Sequence, residues 1–317
     1  MNRTFTRIAW LFTAYLIGVI LFGAWVRITH SGAGCGAHWP LCDGEIIPSA
    51  PSTEKLIEYT HRLTSGLCGI FGIAITAWAW RLFGLKGKAT IASAITLLFI
   101  IIEGAIGAGL VLAELVADDT SVARATVISL HLTNTLMLTA SAAATAYFAK
   151  NPDAPVHLRH AKGLLIAMIV GFIAVSMSGA ITALGDTLFP VQATQHAGLL
   201  AQVTHELSAT QHFLVRLRII HPVLAVLVGM AMIWAFDHLR DGPAGQIAWW
   251  GLIISVAQMG LGLLNIALAA PGWMQLVHLG AAQLLWICLV LSAWQAQRLI
   301  RDPGPLHQDS VSPQHTH

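Results

Sequence analysis

The chain has 317 residues, 56% of them hydrophobic and only 10% charged, where a soluble domain carries about 25% charged residues. A single soluble core cannot hide that much apolar surface, which excludes an ordinary globular protein and makes lipid the solvent for most of the chain. A formal net charge of +2 leaves no basic footprint for nucleic acid, so no nucleic-acid partner is expected.

An apolar window of about 19 residues finds eight spans. The first, 8–27, follows Met1-Asn2-Arg3. It is too long for a signal-peptide core and lacks a small-residue cleavage site, so it reads as an uncleaved helix. The others run 57–80, 89–115, 125–149, 162–184, 215–236, 245–268 and 275–298. Each can cross about 30 Å of hydrocarbon as a helix. Spans two, four and six open on polar residues, which leaves their starts the softest boundaries.

Basic residues choose the orientation. Arg3, Arg7, Arg81, Lys86, Lys88, Lys150, Arg159, Lys162, Arg240, Arg298 and Arg301 fall on one side. Opposite them lie Glu45, Glu54, Lys55, Asp118, Asp119, Asp186 and Glu206. The positive-inside rule therefore predicts a multi-pass protein of a prokaryotic plasma membrane with both termini in the cytoplasm. Loops 28–56 and 185–214 then face outward, and the Pro-, Ser- and His-containing tail 301–317 is expected to be disordered.

The two halves echo each other. Gly23-Ala24 near the end of span one is matched by Gly179-Ala180 in span five, and Glu103-x-x-x-Gly107 by Gln258-x-x-x-Gly262. Together these predict an all-α fold: eight transmembrane helices as two tandem four-helix bundles related by a pseudo-two-fold axis. The expected units are an N-terminal bundle 1–149, a cytoplasmic linker 150–161 containing Pro152 and Pro155, and a C-terminal bundle 162–300.

His61, His131, His221 and His278 open the second, fourth, sixth and eighth spans. Ionisable groups at that depth are costly and face a bundle interior or a cavity. Two histidines on facing helices are too few for a closed zinc site, which takes four ligands. Haem needs only two axial ligands, so the set predicts two bis-histidine haem sites. Arg62, Arg216 and Arg218 flank these histidines and are candidate partners for haem propionates, since guanidinium forks match carboxylates.

Glu58 lies three residues before His61 on the same helical face, roughly 4.5 Å further out, and could move protons at a haem edge. Span six carries Arg218 in the corresponding place. That inequality predicts a reacting site in the first half and an electron-transfer or structural site in the second. Glu103 is a second intramembrane carboxylate, either a proton carrier or a hydrogen-bonded core group. Cys35 and Cys42 lie in an outer loop where an oxidising compartment permits a disulfide, while Cys68 and Cys288 sit in apolar runs and read as small hydrophobes. Gly104, Gly107 and Gly109 permit close helix packing within one chain or in a homo-oligomer.

Ser31-Gly32-Ala33-Gly34-Cys35-Gly36, then Trp39-Pro40-Leu41-Cys42, then Glu58-x-x-His61-Arg62 form a signature that resembles the haem A synthases, and the likeness extends over nearly the whole chain. The resemblance implies oxidation of the C8 methyl of haem O to a formyl group through two hydroxylations, giving haem A for cytochrome oxidase. It implies His61 and His131 as ligands of the substrate haem O, Glu58 as the acid or base, His221 and His278 as ligands of a haem b cofactor, and a Cys35–Cys42 disulfide. A haem O synthase would donate the substrate, and a quinone or another redox partner would exchange electrons. Some members carry a second cysteine pair after span five; here Gly185-Asp186-Thr187-Leu188-Phe189-Pro190 has none. The competing readings are a bis-haem electron-transfer protein of the cytochrome b561 kind and a proton-coupled transporter with repeats.

Overall fold

The computed structural model describes residues 2–49, 51–154, 162–190, 204, 206–242 and 244–295. Among them, eight helices are long and apolar enough to cross a membrane. These are α1 (Arg3–Ile28), α2 (Thr53–Phe83), α3 (Lys88–Leu112), α4 (Val122–Lys150), α5 (Lys162–Leu188), α6 (Phe213–Leu239), α7 (Gly245–Ala267) and α8 (Gly272–Gln295). The protein is an all-α, multi-pass membrane protein. Residues 155–161 of the expected linker, Arg159, Arg298, Arg301 and the tail 301–317 lie outside the described residues, as does 191–203 of the second long loop.

Caps explain why several helices start earlier than hydropathy alone suggests. The Ser52 side chain accepts the Lys55 N–H, and Glu54 sits in the positive first turn, so α2 starts at Thr53 rather than 57. Ser121 caps α4 in the same way through the Arg124 N–H. Gly84, with φ of 72°, ends α2 in a left-handed turn. Helix α5 outruns its expected end at 184 because the Gly185 carbonyl and the Asp186 carboxylate both bind Arg218 of α6. Helix α6 breaks between Leu217 and Ile220. Pro222 lacks the N–H that would bond the Arg218 carbonyl, and its ring crowds that carbonyl.

Within the first half each helix packs on its sequence neighbour and α4 closes back on α1; α5 to α8 repeat this circuit. The halves meet along α1 and α4 on one side and α5 and α8 on the other. Small side chains let α4 sit at the centre of the molecule against its neighbours, since Ala142, Ala143, Ala144, Ala146 and Ala149 are buried. Hydrogen bonds then fix the register of the seam. Trp286 Nε1 donates to the Leu136 carbonyl at 2.7 Å, and Thr139 Oγ1 donates to Gln283 Oε1 at 2.8 Å. All four groups are buried, where an unmade polar contact costs roughly 1–3 kcal/mol.

Candidate functional site

His61, His131, His221 and His278 all line one cavity of about 1530 Å³, larger than the ~300–1,000 Å³ of an ordinary small-molecule pocket. Each comes from the end of its helix nearest the Cys35–Cys42 loop, hereafter the loop end. Glycine makes room for two of the rings. A Cβ on Gly23 of α1 would stand 3.0 Å from His61 Cε1, and one on Gly179 of α5 would stand 2.9 Å from His221 Cε1. The glycine pair that the sequence matches between halves therefore serves the same purpose twice.

Helix α3 supports His131. Glu103 Oε1 lies 3.2 Å from His131 Nδ1, off the line of a hydrogen bond, so that Nδ1 keeps no hydrogen-bond partner. Thr135 Oγ1 donates to Glu103 Oε1 at 2.6 Å and Asn134 Nδ2 to Oε2 at 2.5 Å. Glu103 is thus a fixed carboxylate set against the ring of His131, where a small turn of the imidazole would make the N–H bond to carboxylate by which proteins orient a ligating histidine.

The second half sets neutral groups against its rings, and on His278 at the other ring nitrogen. Gln258 Nε2 of α7 lies 3.2 Å from His278 Nε2. His221 Nδ1 donates to the Val175 carbonyl at 3.1 Å. That bond assigns the proton to Nδ1 and leaves Nε2 free to ligate. The His221 and His278 ring centres are 6.3 Å apart; two imidazoles sharing one metal through bonds of about 2.0–2.1 Å bring their ring centres to roughly that distance.

Glu58 is buried and has both oxygens engaged. Arg62 donates to Oε1 through Nη2 at 2.5 Å and Nε at 3.2 Å, and the Cys35 N–H donates to Oε2 at 2.8 Å. Arg62 Nη1 also binds the carbonyls of His38 and Leu41, at 2.7 and 2.6 Å. Glu58 and Arg62 together clamp the Cys35–Cys42 disulfide loop onto α2. Gly34 makes the seat possible, since a Cβ there would meet the Glu54 backbone at 2.7 Å. An ion pair between Asp43 and Lys55 at 2.5 Å adds a rim contact, and its hydrogen bond holds the Asp43 carboxyl below the usual range.

The remaining arginines divide sharply. Arg216 is exposed and stands outside the cavity wall. Arg218 is buried on that wall, with Asp186 at 2.9 Å and Glu206 at 3.9 Å. Sequence reading missed two others that line the cavity, Arg27 and Arg124. The signal was present, since each is a basic residue at the loop end, where the other spans carry few. Cys68 is buried and Cys288 half-buried, both as free thiols.

Among the described residues His61 and His278 keep a buried Nδ1 with no hydrogen-bond partner, and His131 Nδ1 has only the off-line Glu103 carboxylate, which a satisfied core histidine does not show. Among the described residues no three His, Cys, Asp or Glu side chains gather to hold a bare metal ion. Paired imidazoles without further ligands fit a metal that brings its own equatorial donors, as haem does.

Over 295 residues the chain is 44% identical to a "Protoheme IX farnesyltransferase" of Thermus thermophilus, covering 91% of this chain and 48% of that one. It is 42% identical to a "Heme A synthase" of Halalkalibacterium halodurans over 111 residues (35% of this chain, 37% of that one). A "Heme A synthase" of Alkalihalophilus pseudofirmus is 47% identical over 93 residues (29% and 31%). The chain thus spans about half the length of the Thermus relative, and shorter stretches of the others. The family model COX15-CtaA, described as cytochrome oxidase assembly protein, matches residues 6–290. With nearly its whole length matched by that model, the chain belongs to the COX15-CtaA family of cytochrome oxidase assembly proteins.

Proposed function

We propose that this chain is a haem A synthase, oxidising the C8 methyl of haem O to a formyl group. The carrying observation is a single cavity with two histidine pairs in unequal surroundings. The His61–His131 half has Glu58 and Glu103 on its wall, with Glu103 against a histidine ring, and the His221–His278 half has Gln258 against its ring and Arg218 paired with Asp186 and Glu206. We assign the substrate haem O to the first pair and a resident haem b to the second. The iron tetrapyrrole, when bound, supplies the redox chemistry.

The chain's own residues bind and orient. Glu103 fixes the His131 ring and Val175 fixes the tautomer of His221. The loop held by Glu58 and Arg62 covers one end of the first pair, and Trp39, Pro40 and Leu41 of that loop line the cavity. Glu58 remains the candidate proton acceptor or donor, a role it would combine with anchoring the loop. Arg62 spends most of its donors on the clamp, and Arg218 is engaged by Asp186, Glu206 and the carbonyls of Gly185 and Phe189.

Two four-helix halves, 1–149 and 162–300, accommodate this division, and the positive-inside pattern sets both termini in the cytoplasm with the loop end outward. A haem O synthase as donor and a quinone or another electron carrier as redox partner complete the reading. An electron-transfer protein of the b561 kind would have no use for a clamped loop and a carboxylate set against the histidine ring of one pair only. The deciding experiment expresses the chain in a host that makes haem O but not haem A and chromatographs the extracted haems. Haem A is the expected product; recovery of only haem B and unmodified haem O from folded protein would overturn the assignment.

A further inference from the structure

Arg27 and Arg124 line the cavity, and among the described residues no carboxylate lies within ion-pair distance of either guanidinium. Arg124 is 4% exposed; its Nη1 binds the carbonyls of Ala117 and Asp119 at 2.6 and 2.7 Å, while its Nε is buried with no partner. Arg27 is half-buried and donates to the Ala183 carbonyl at 2.5 Å, to Thr187 Oγ1 and to Gln275 Oε1 at 2.9 Å. All of these acceptors are neutral. Nearby acids are otherwise occupied: Asp186 and Glu206 face Arg218, and Asp119 binds the Ser121 hydroxyl at 2.7 Å. A buried cation left unpaired is costly, and here one buried and one half-buried guanidinium open on the same cavity.

Their places in the fold say which half they serve. Arg124 precedes His131 by seven residues on α4, two turns toward the loop end on the same face, or about 10.5 Å along the axis. Arg27 follows Gly23 by four residues on α1, one turn toward the loop end, and Gly23 is the residue against the His61 ring. Both guanidiniums therefore stand beyond the His61–His131 level on its loop-end side. The matching positions of the second half are Ala183 and Pro271, which bring no charge.

We propose that Arg27 and Arg124 hold the two propionates of the tetrapyrrole bound by His61 and His131. The inference rests on reading the cavity as a haem site. Two guanidiniums facing two adjacent carboxylates give charge-assisted pairing with the charge balanced. The C8 methyl shares a pyrrole ring with one propionate, so a grip on the propionates selects which edge of the ring is presented for oxidation. Arg27 and Arg124 are then positioning residues for the reaction's regiochemistry.

The test uses full-length His221→Ala/His278→Ala protein, which retains the first pair, titrated in detergent with ferric protohaem and with its dimethyl ester while the Soret band is followed. The free acid is expected to bind at least about tenfold more tightly than the ester, as loss of charged hydrogen bonds dictates. Arg27→Gln/Arg124→Gln should lower acid affinity to the ester's and leave ester affinity unchanged, with Lys at both positions restoring part of the preference. Equal binding of acid and ester, or a preference that survives the double glutamine substitution, overturns the proposal. A Soret complex indifferent to His61→Ala overturns the haem-site reading itself, a separate outcome from a His61-dependent complex blind to the ester. The acid-against-ester comparison needs neither arginine variant, so it decides even if the double substitution does not fold.

Discussion

The carboxylate of Glu103 stands 3.2 Å from Nδ1 of His131, and both of its oxygens are fixed by the residues that follow that histidine on α4. Helix α7 offers the amide of Gln258 to His278 at the same distance. One half thus backs its ring with a charge and the other with a dipole. A carboxylate behind an imidazole orients it and raises its basicity as a ligand.

Glu103→Gln should therefore weaken tetrapyrrole binding at the first pair by about 10- to 100-fold, the usual effect of losing such a supporting group. Soret titration in the His221→Ala/His278→Ala background reads this directly. Binding unchanged by the substitution would show that Glu103 serves the α3–α4 contact alone.

Glu58 serves as clamp and as candidate proton relay, and two substitutions separate the roles. Glu58→Gln keeps an acceptor for the Cys35 N–H but gives up the charge that Arg62 meets. We expect the loop to stay seated and haem to stay bound while haem A production is lost. Glu58→Ala should release the loop as well, seen as faster proteolysis between Gly36 and Leu41 and easier reduction of the disulfide. Full conversion by the glutamine variant would remove Glu58 from the proton chemistry and leave it as the clamp.

Much of this was legible beforehand because the bilayer constrains sequence so strongly. Eight apolar runs could only be helices, and four histidines inside them had few roles open to them. Helix ends were less legible, since the side chains of Ser52 and Ser121 extend helices past the point where hydropathy fades. Partner choice was hidden. Arg62 looked available for a ligand, yet it binds carbonyls of His38 and Leu41, more than 20 positions away. Arg27 reaches Ala183 and Gln275 across the seam between halves, a contact that no local pattern encodes.

Gly23 and Gly179 give a paired test of the two sites. Alanine at either would place a methyl 3.0 or 2.9 Å from a Cε1 of His61 or His221, closer than van der Waals contact allows. Each ring would have to move off its position. Gly23→Ala should reduce occupancy of the first pair and spare the second, and Gly179→Ala the reverse. Pyridine haemochrome content together with Soret spectra of each purified variant would show it. Loss at both sites from either change would mean the glycines act on the fold and not on their own histidine.

Thr139 and Gln283 bind each other at 2.8 Å across the α4–α8 seam, beside the Trp286 bond to the Leu136 carbonyl. A hydrogen bond between membrane helices contributes about 0.6 kcal/mol on average and at most ~1.7 kcal/mol, because the unfolded chain in lipid also finds partners. A double-mutant cycle of Thr139→Val and Gln283→Leu should return a coupling in that range, measured by unfolding in mixed micelles. Thr139→Val alone should cost more than the pair of changes together, since it leaves the buried Gln283 amide oxygen without its donor, whereas after Gln283→Leu the Thr139 hydroxyl still donates to the Thr135 carbonyl. The four histidines lie nearer the loop end than this seam contact does, so haem occupancy should hold in all three variants even as the unfolding midpoint falls. A coupling near zero would place the register of the two halves in side-chain packing around Trp286 rather than in hydrogen bonding.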